Sequence, residues 1–177
     1  MNFIFDLDDT LVQRDTIIPL PNRLEVLETI SNNNNRIYIA TNQSGPAWRI
    51  YSENLRKKDY KKYPIFEFSM LRLGYLTKLF NVNYCLAALI PGNEFVAKAI
   101  RNELQCPEEI RSLLNGKILL SYRLDWRKPK GGMLDFIMDE NNLNREDCLF
   151  VGDLPSDEQA AKNAGIAFQH AKEFFYD

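Results

Sequence analysis

Short apolar runs that each break off at a polar cluster constrain this chain more than any other feature. Phe3-Ile-Phe-Asp-Leu7 stops at Asp8-Asp-Thr10, Arg36-Ile-Tyr-Ile-Ala40 stops at Thr41-Asn-Gln-Ser-Gly45, and Cys148-Leu-Phe-Val-Gly152 stops at Asp153. Runs this short and this apolar fit strands covered on both faces. The segments between them carry helical spacing. Leu24, Leu27 and Ile30 recur every three or four residues, with Asn22 placed to cap the helix and the asparagines up to Asn35 to end it.

Further along, one helix is predicted from Pro46 to about Tyr60 and another from Ile65 to Phe80. Residues 83–90 form a third apolar strand, 93–114 a helix interrupted near Pro107, and 117–122 a short extended piece. Met133, Phe136, Ile137 and Glu140 mark a helix after the basic turn Arg127-Lys-Pro-Lys-Gly-Gly132. The chain closes with a helix from Ser156 to Ala164, ended by Gly165, and a strand over 166–169. Alternating apolar strands and helices predict an α/β class: a three-layer, Rossmann-like parallel sheet with helices on both faces. In such sheets ligands gather beyond the carboxyl ends of the strands, where all three polar clusters lie. The 177 residues suit a single domain. Residues 11–21 read as a short flap, and 46–126 as an elaborated part of the core rather than a large cap domain.

Composition narrows the function. A formal charge of −2 gives no global pull on a polyanion. Cys85, Cys106 and Cys148 lie far apart and show none of the close ligand pairs of a structural zinc site, so with the single His170 no structural zinc is expected. An odd number of cysteines without a secretory pattern predicts reduced, buried thiols and a cytoplasmic location. The longest apolar stretch, residues 85–90, is far too short to span a bilayer, so no membrane partner is expected.

The chemistry concentrates at the strand ends. Asp6 and Asp8 flank Leu7 where the first strand leaves the sheet. Two carboxylates so close repel each other, and a hard divalent cation relieves the repulsion. Alone, the pair reads first as an acidic turn. Thr41 and Asn42 offer a hydroxyl and amide groups suited to phosphate oxygens, although the same residues also build turns. Lys128 sits between Arg127 and Pro129, in a loop the proline stiffens. Asp153 follows Gly152, and Asp157 falls in the first turn of a helix, where the helix dipole also accounts for it, with Ser156 and Gln159 as a capping box.

Together these four sites resemble the motifs of the haloacid dehalogenase-like superfamily: Asp6-Leu-Asp-Asp-Thr10, then Thr41, then Lys128, then Gly152-Asp-Leu-Pro-Ser-Asp157. Thr41-Asn-Gln-Ser-Gly45 and Arg127-Lys-Pro-Lys-Gly-Gly-Met133 are similar to its small-capped class of histidinol-phosphate, heptose-bisphosphate and polynucleotide-kinase 3′-phosphatase domains. Gly131 replaces a proline of that pattern, and the cysteine-histidine loop common in the first two is missing before Arg127.

The resemblance implies a magnesium-dependent phosphomonoesterase. Asp6 would be the nucleophile and Asp8 the acid and base. Magnesium would be held by Asp6, Asp8, Asp153 and the Leu7 carbonyl. Thr41, Asn42, Arg127 and Lys128 would bind the phosphate, with Asp157 behind them. The substrate would be a phosphorylated small molecule or a nucleic-acid end. The basic stretch Arg56–Lys62, with Tyr60 and Tyr63, and the group Arg123, Trp126, Arg127 and Lys130 could contact a nucleic-acid backbone or a second phosphate, although a solvated face is the commoner meaning of such runs and Trp48 and Trp126 are more often packing residues. A non-catalytic binding or regulatory module on the same fold is the rival reading.

Overall fold

The computed structural model describes residues 1–103, 109–111 and 117–176. Among the described residues seven strands form one sheet: β1 (Asn2–Phe5), β2 (Arg36–Asn42), β3 (Tyr84–Ala88), β4 (Glu109–Arg111), β5 (Ile118–Ser121), β6 (Cys148–Gly152) and β7 (Ala167–His170). Their spatial order is β4-β5-β3-β2-β1-β6-β7, and every pairing is parallel except β4 with β5. The chain first builds outward from β1 through β2, β3 and β5, then returns to β1's other side with β6. β1 is therefore the strand at which the winding reverses, and a crevice opens beyond its carboxyl end.

Period-two alternation divides the strands' side chains between two buried layers. Phe5, Ile37, Ile39, Cys85, Ala87, Ile118, Leu120 and Val151 join one core, and Ile4, Tyr38, Ala40, Leu86, Ala88, Leu119 and Phe150 the other. The first core is covered by α1 (Arg23–Asn32), α3 (Phe66–Leu79) and α7 (Ala171–Phe175), the second by α5 (Gly132–Asn141) and α6 (Pro155–Ala164). Both faces being buried explains why the strand sequences are almost wholly apolar. Cys85 and Cys148 are buried free thiols within these layers, whereas Cys106 lies outside the described residues. No helix among the described residues is long and apolar enough to cross a membrane, and no large cap domain is present among them.

Several local expectations change. The helix predicted from Pro46 to Tyr60 is α2 (Gly45–Asn54), because Arg56 takes a left-handed φ of 53° and Lys57 N–H closes back on Ser52 O at 2.9 Å. Of the helix predicted over 93–114, the described residues show α4 (Glu94–Lys98) with a wider turn over Ala99–Glu103. Glu109–Arg111 instead pairs as strand β4, since the open edge of β5 supplies hydrogen bonds that outweigh local helix preference. The predicted interruption near Pro107 lies outside the described residues. Asn22 precedes α1 without capping it; its side chain donates to Phe175 O at 2.8 Å and accepts from Arg23. The cap of α6 is not the predicted Ser156 and Gln159 box: Leu154 N–H donates to Asp157 Oδ2 at 3.0 Å.

Candidate active site

Asp6 begins where β1 ends, its N–H still bonded to Val151 O of β6 at 2.9 Å. The side chain is 5% exposed and points into the crevice between β1, β2 and β6. Lys128 enters from the loop before α5. Its ammonium donates to Asp6 Oδ1 at 2.5 Å and to Ala40 O at 3.1 Å, and pairs with Asp157 Oδ1 at 2.7 Å. Asn42 fixes that loop from both sides, accepting from Lys128 N–H at 3.1 Å and donating to Lys128 O at 3.3 Å. Its side chain thus holds the lysine rather than opening freely to a ligand.

Asp6, Asp153 and Asp157 bring carboxylate oxygens within 4.8 Å of one another. Gly152 makes this packing possible: a Cβ there would stand 2.5 Å from the Asp157 side chain. Thr10, fully buried, donates to Asp153 Oδ1 at 3.2 Å. Burial pushes the Asp6 carboxyl up to about 7; Lys128 pulls it down and Asp157 raises it again. Burial would lower Lys128, yet Asp6 and Asp157 together outweigh it and raise it. The two shifts have different sources: burial raises Asp6 against the pull of Lys128, whereas two buried acids raise Lys128 against its own burial. Burial and Asp157 also raise Asp153. Three converging carboxylates with one lysine between them leave excess negative charge, and an oxygen-rich donor set of this kind fits a hard divalent cation.

Asp8 does not join that cluster. Arg72 of α3 forms a short ion pair with Asp8 Oδ1 and donates again to Oδ2 at 3.4 Å; Gln43 donates to Oδ2 at 2.7 Å and Asp15 N–H to Oδ1 at 2.9 Å. Four donors thus engage the carboxylate, and it lies outside the group formed by Asp6, Asp153 and Asp157. The Leu7 carbonyl is likewise committed, accepting from Leu11 and Val12 N–H at 2.9 and 3.1 Å. Thr41 is 1% exposed and its hydroxyl accepts from Gln43 at 3.1 Å. Arg127 is half-buried and donates to Ile90 O at 3.2 Å.

Arg72, Gln43 and Thr10 are the residues sequence reasoning missed. Arg72 is only 6% exposed, donates to Thr16 O at 2.8 Å and to Gln43 Oε1 at 3.3 Å, and so ties α3 to the segment after Asp8. An arginine in an otherwise apolar helical stretch, Met70-Leu-Arg-Leu73, was the available signal. The whole site opens into a cleft of about 760 Å³, whose lining includes Asp6, Asp8, Thr41, Asn42, Arg127, Lys128 and Asp157 on its floor.

Residues 109–171 match the family model described as haloacid dehalogenase-like hydrolase. The structure of a D,D-heptose 1,7-bisphosphate phosphatase from B. bronchiseptica, complexed with magnesium and phosphate, aligns with a TM-score of 0.64 at 18% identity. That alignment covers 94% of this chain and 78% of that one. A protein from Mesorhizobium loti described as a HAD-like phosphatase aligns with a TM-score of 0.54 at 20% identity, covering 93% and 68%. Comparison with curated protein sequences finds no match. With the hydrolase signature over residues 109–171 and the architecture shared over nearly its whole length, this chain is haloacid dehalogenase-like in fold.

Proposed function

We propose that this chain is a magnesium-dependent phosphomonoester hydrolase that works through an aspartyl phosphate on Asp6. The observation that carries the reading is the convergence, at one strand end, of a buried Asp6 with Lys128, Asp153 and Asp157. Asp6, Asp153 and Asp157 would hold the ion, which when bound supplies charge neutralisation between an anionic nucleophile and an anionic phosphoryl group.

The chain's own residues account for the remaining steps. Lys128 anchors one oxygen of Asp6, which fixes the direction of the carboxylate towards phosphorus. Attack breaks the ester P–O bond and forms the Asp6–O–P bond, dividing one hard displacement into two easier ones. Lys128 and the Thr41 hydroxyl face the phosphoryl oxygens as charge develops there, and Asn42 holds the lysine loop in place. All the partners of Asp8 are donors, which suits an ionised carboxylate, the form that takes a proton from water in the second step. Water then delivers its oxygen to phosphorus, freeing inorganic phosphate and restoring Asp6. The proton Asp8 gains from water in that step is the one it gives to the leaving oxygen of the next substrate.

A phosphorylated small molecule or a nucleic-acid end would fit the open cleft. The test is turnover of a generic aryl phosphate with added magnesium. Release of phosphate that stops on chelation is expected; no release with any divalent ion would favour the non-catalytic reading.

A further inference from the structure

The floor of the cleft needs room for a phosphoryl group only, yet the cavity measures about 760 Å³ and extends well beyond Lys128. The character of its outer wall differs from the floor. Trp48, Tyr63 and Phe68 supply aromatic surface, and Arg14, Lys61 and Lys62 supply cations. Trp48 and Tyr63 lie near-parallel, 21° apart with ring centroids at 6.1 Å, and Phe68 at the lip is 55% exposed. The turn Tyr60–Lys62 is fastened to α2, because Arg49 donates to Tyr63 O at 3.0 Å and lies over the Tyr60 ring at 5.1 Å. The platform is thus held by the fold.

We propose that this outer wall is the leaving-group site for a nucleotide, whose base stacks on the Trp48 and Tyr63 platform while a second anionic group meets Lys61 and Lys62. The proposal rests on the phosphatase reading of Asp6. Aromatic faces accept any base, and lysines at the lip accept a phosphate without defining a sequence. A plain sugar phosphate would leave this aromatic surface unused. The charges at the lip are available at small cost. Lys62 pairs with Asp59 at 2.6 Å and Arg14 with Asp9 at 2.8 Å, but both pairs are solvent-exposed and weak in water. Arg127, half-buried deeper in the cleft, has only a carbonyl partner and no ion pair among the described residues, so it too favours an anion. The reaction remains hydrolysis: the nucleoside oxygen leaves with a proton, and water's oxygen ends on the phosphate.

Steady-state kinetics with magnesium would decide it, using glycerol 3-phosphate, p-nitrophenyl phosphate, adenosine 3′,5′-bisphosphate and a 3′-phosphorylated oligonucleotide. The expected result is a kcat/KM for adenosine bisphosphate at least about tenfold above that for glycerol 3-phosphate. In the double variant Lys61→Ala/Lys62→Ala, whose two sites are exposed and spare the core, that ratio should fall about tenfold through KM, and added salt should reproduce the fall. A higher value still for the oligonucleotide identifies a nucleic-acid end as the source of the nucleotide; a lower one identifies a free nucleotide. Equal kcat/KM for all phosphates, or a preference untouched in the double variant, overturns the proposal and leaves the phosphatase reading intact. No turnover of any of the four discards the phosphatase reading. The wall itself is then judged by titrating adenosine bisphosphate against intrinsic fluorescence: binding weakened in the double variant supports it, and absence of binding overturns it.

Discussion

The floor and the outer wall of the same cleft are built in opposite ways. Asp6, Thr41, Lys128 and Asp157 are each at most 5% exposed and hang from the ends of β1 and β2, the loop before α5 and the start of α6. Lys61 and Lys62 are exposed and come from the segment between α2 and α3, the exposed Phe68 from the first turn of α3, and Arg14 from the loop after Asp8. The floor is locked by ion pairs out of water, where removing one partner is costly; the wall is held by surface contacts worth little individually. The difference teaches that reactivity and selectivity are separable here: the sheet carries one and the intervening segments carry the other. Arg72 is the bridge, a buried residue of α3 that grips Asp8.

That comparison can be broken from the floor upward. Asp6→Asn is expected to abolish turnover while leaving the circular dichroism spectrum unchanged, and measurable activity would remove Asp6 from its role. Chelating the metal from the wild type should be equally complete, with activity restored by magnesium. Lys128→Ala should lower kcat by about a hundredfold or more. It should also destabilise the fold by about 3–5 kcal/mol, because Asp6 and Asp157 lose their shared counter-charge; a melting temperature equal to the wild type would contradict the shared-charge description. Arg72→Gln should cost about ten- to a hundredfold in kcat with little change in KM, as expected for a misdirected acid–base group, and an unchanged kcat would make Arg72 a structural residue only. Smallest of all, Gly152→Ala should destabilise by about 1–3 kcal/mol through the clash with Asp157, read as a lower midpoint in urea.

How much of this was legible in the sequence follows the same division. The strands under Asp6, Thr41 and Asp153 announced themselves because burial on both faces forces apolar runs, and the polar residues ending those runs had to lie at one sheet edge. Asp157 was read as a residue behind the site, but its place in the carboxylate cluster depends on Gly152 allowing close approach. Asp8 was assigned to the metal from its spacing to Asp6. No local pattern could reveal that Arg72, 64 residues away, would pair with it. The strand at Glu109–Arg111 escaped for a related reason, since its hydrogen bonds come from β5 and not from its own sequence. The basic stretch at Lys61 and Lys62 read as a solvated face before a phosphate-binding one, because its charges alone do not place it; the turn fastened by Arg49 brings it to the cleft.

The claim on which the rest depends is that Asp6 becomes covalently phosphorylated. Acid quenching during magnesium-dependent turnover of p-nitrophenyl phosphate, followed by mass spectrometry of the N-terminal peptide, tests it directly. A phosphoryl group on Asp6 in the wild type and none in Asp6→Asn is the expected result. Sustained turnover with Asp6 unmodified, or a label on another residue that persists in Asp6→Asn, would contradict it.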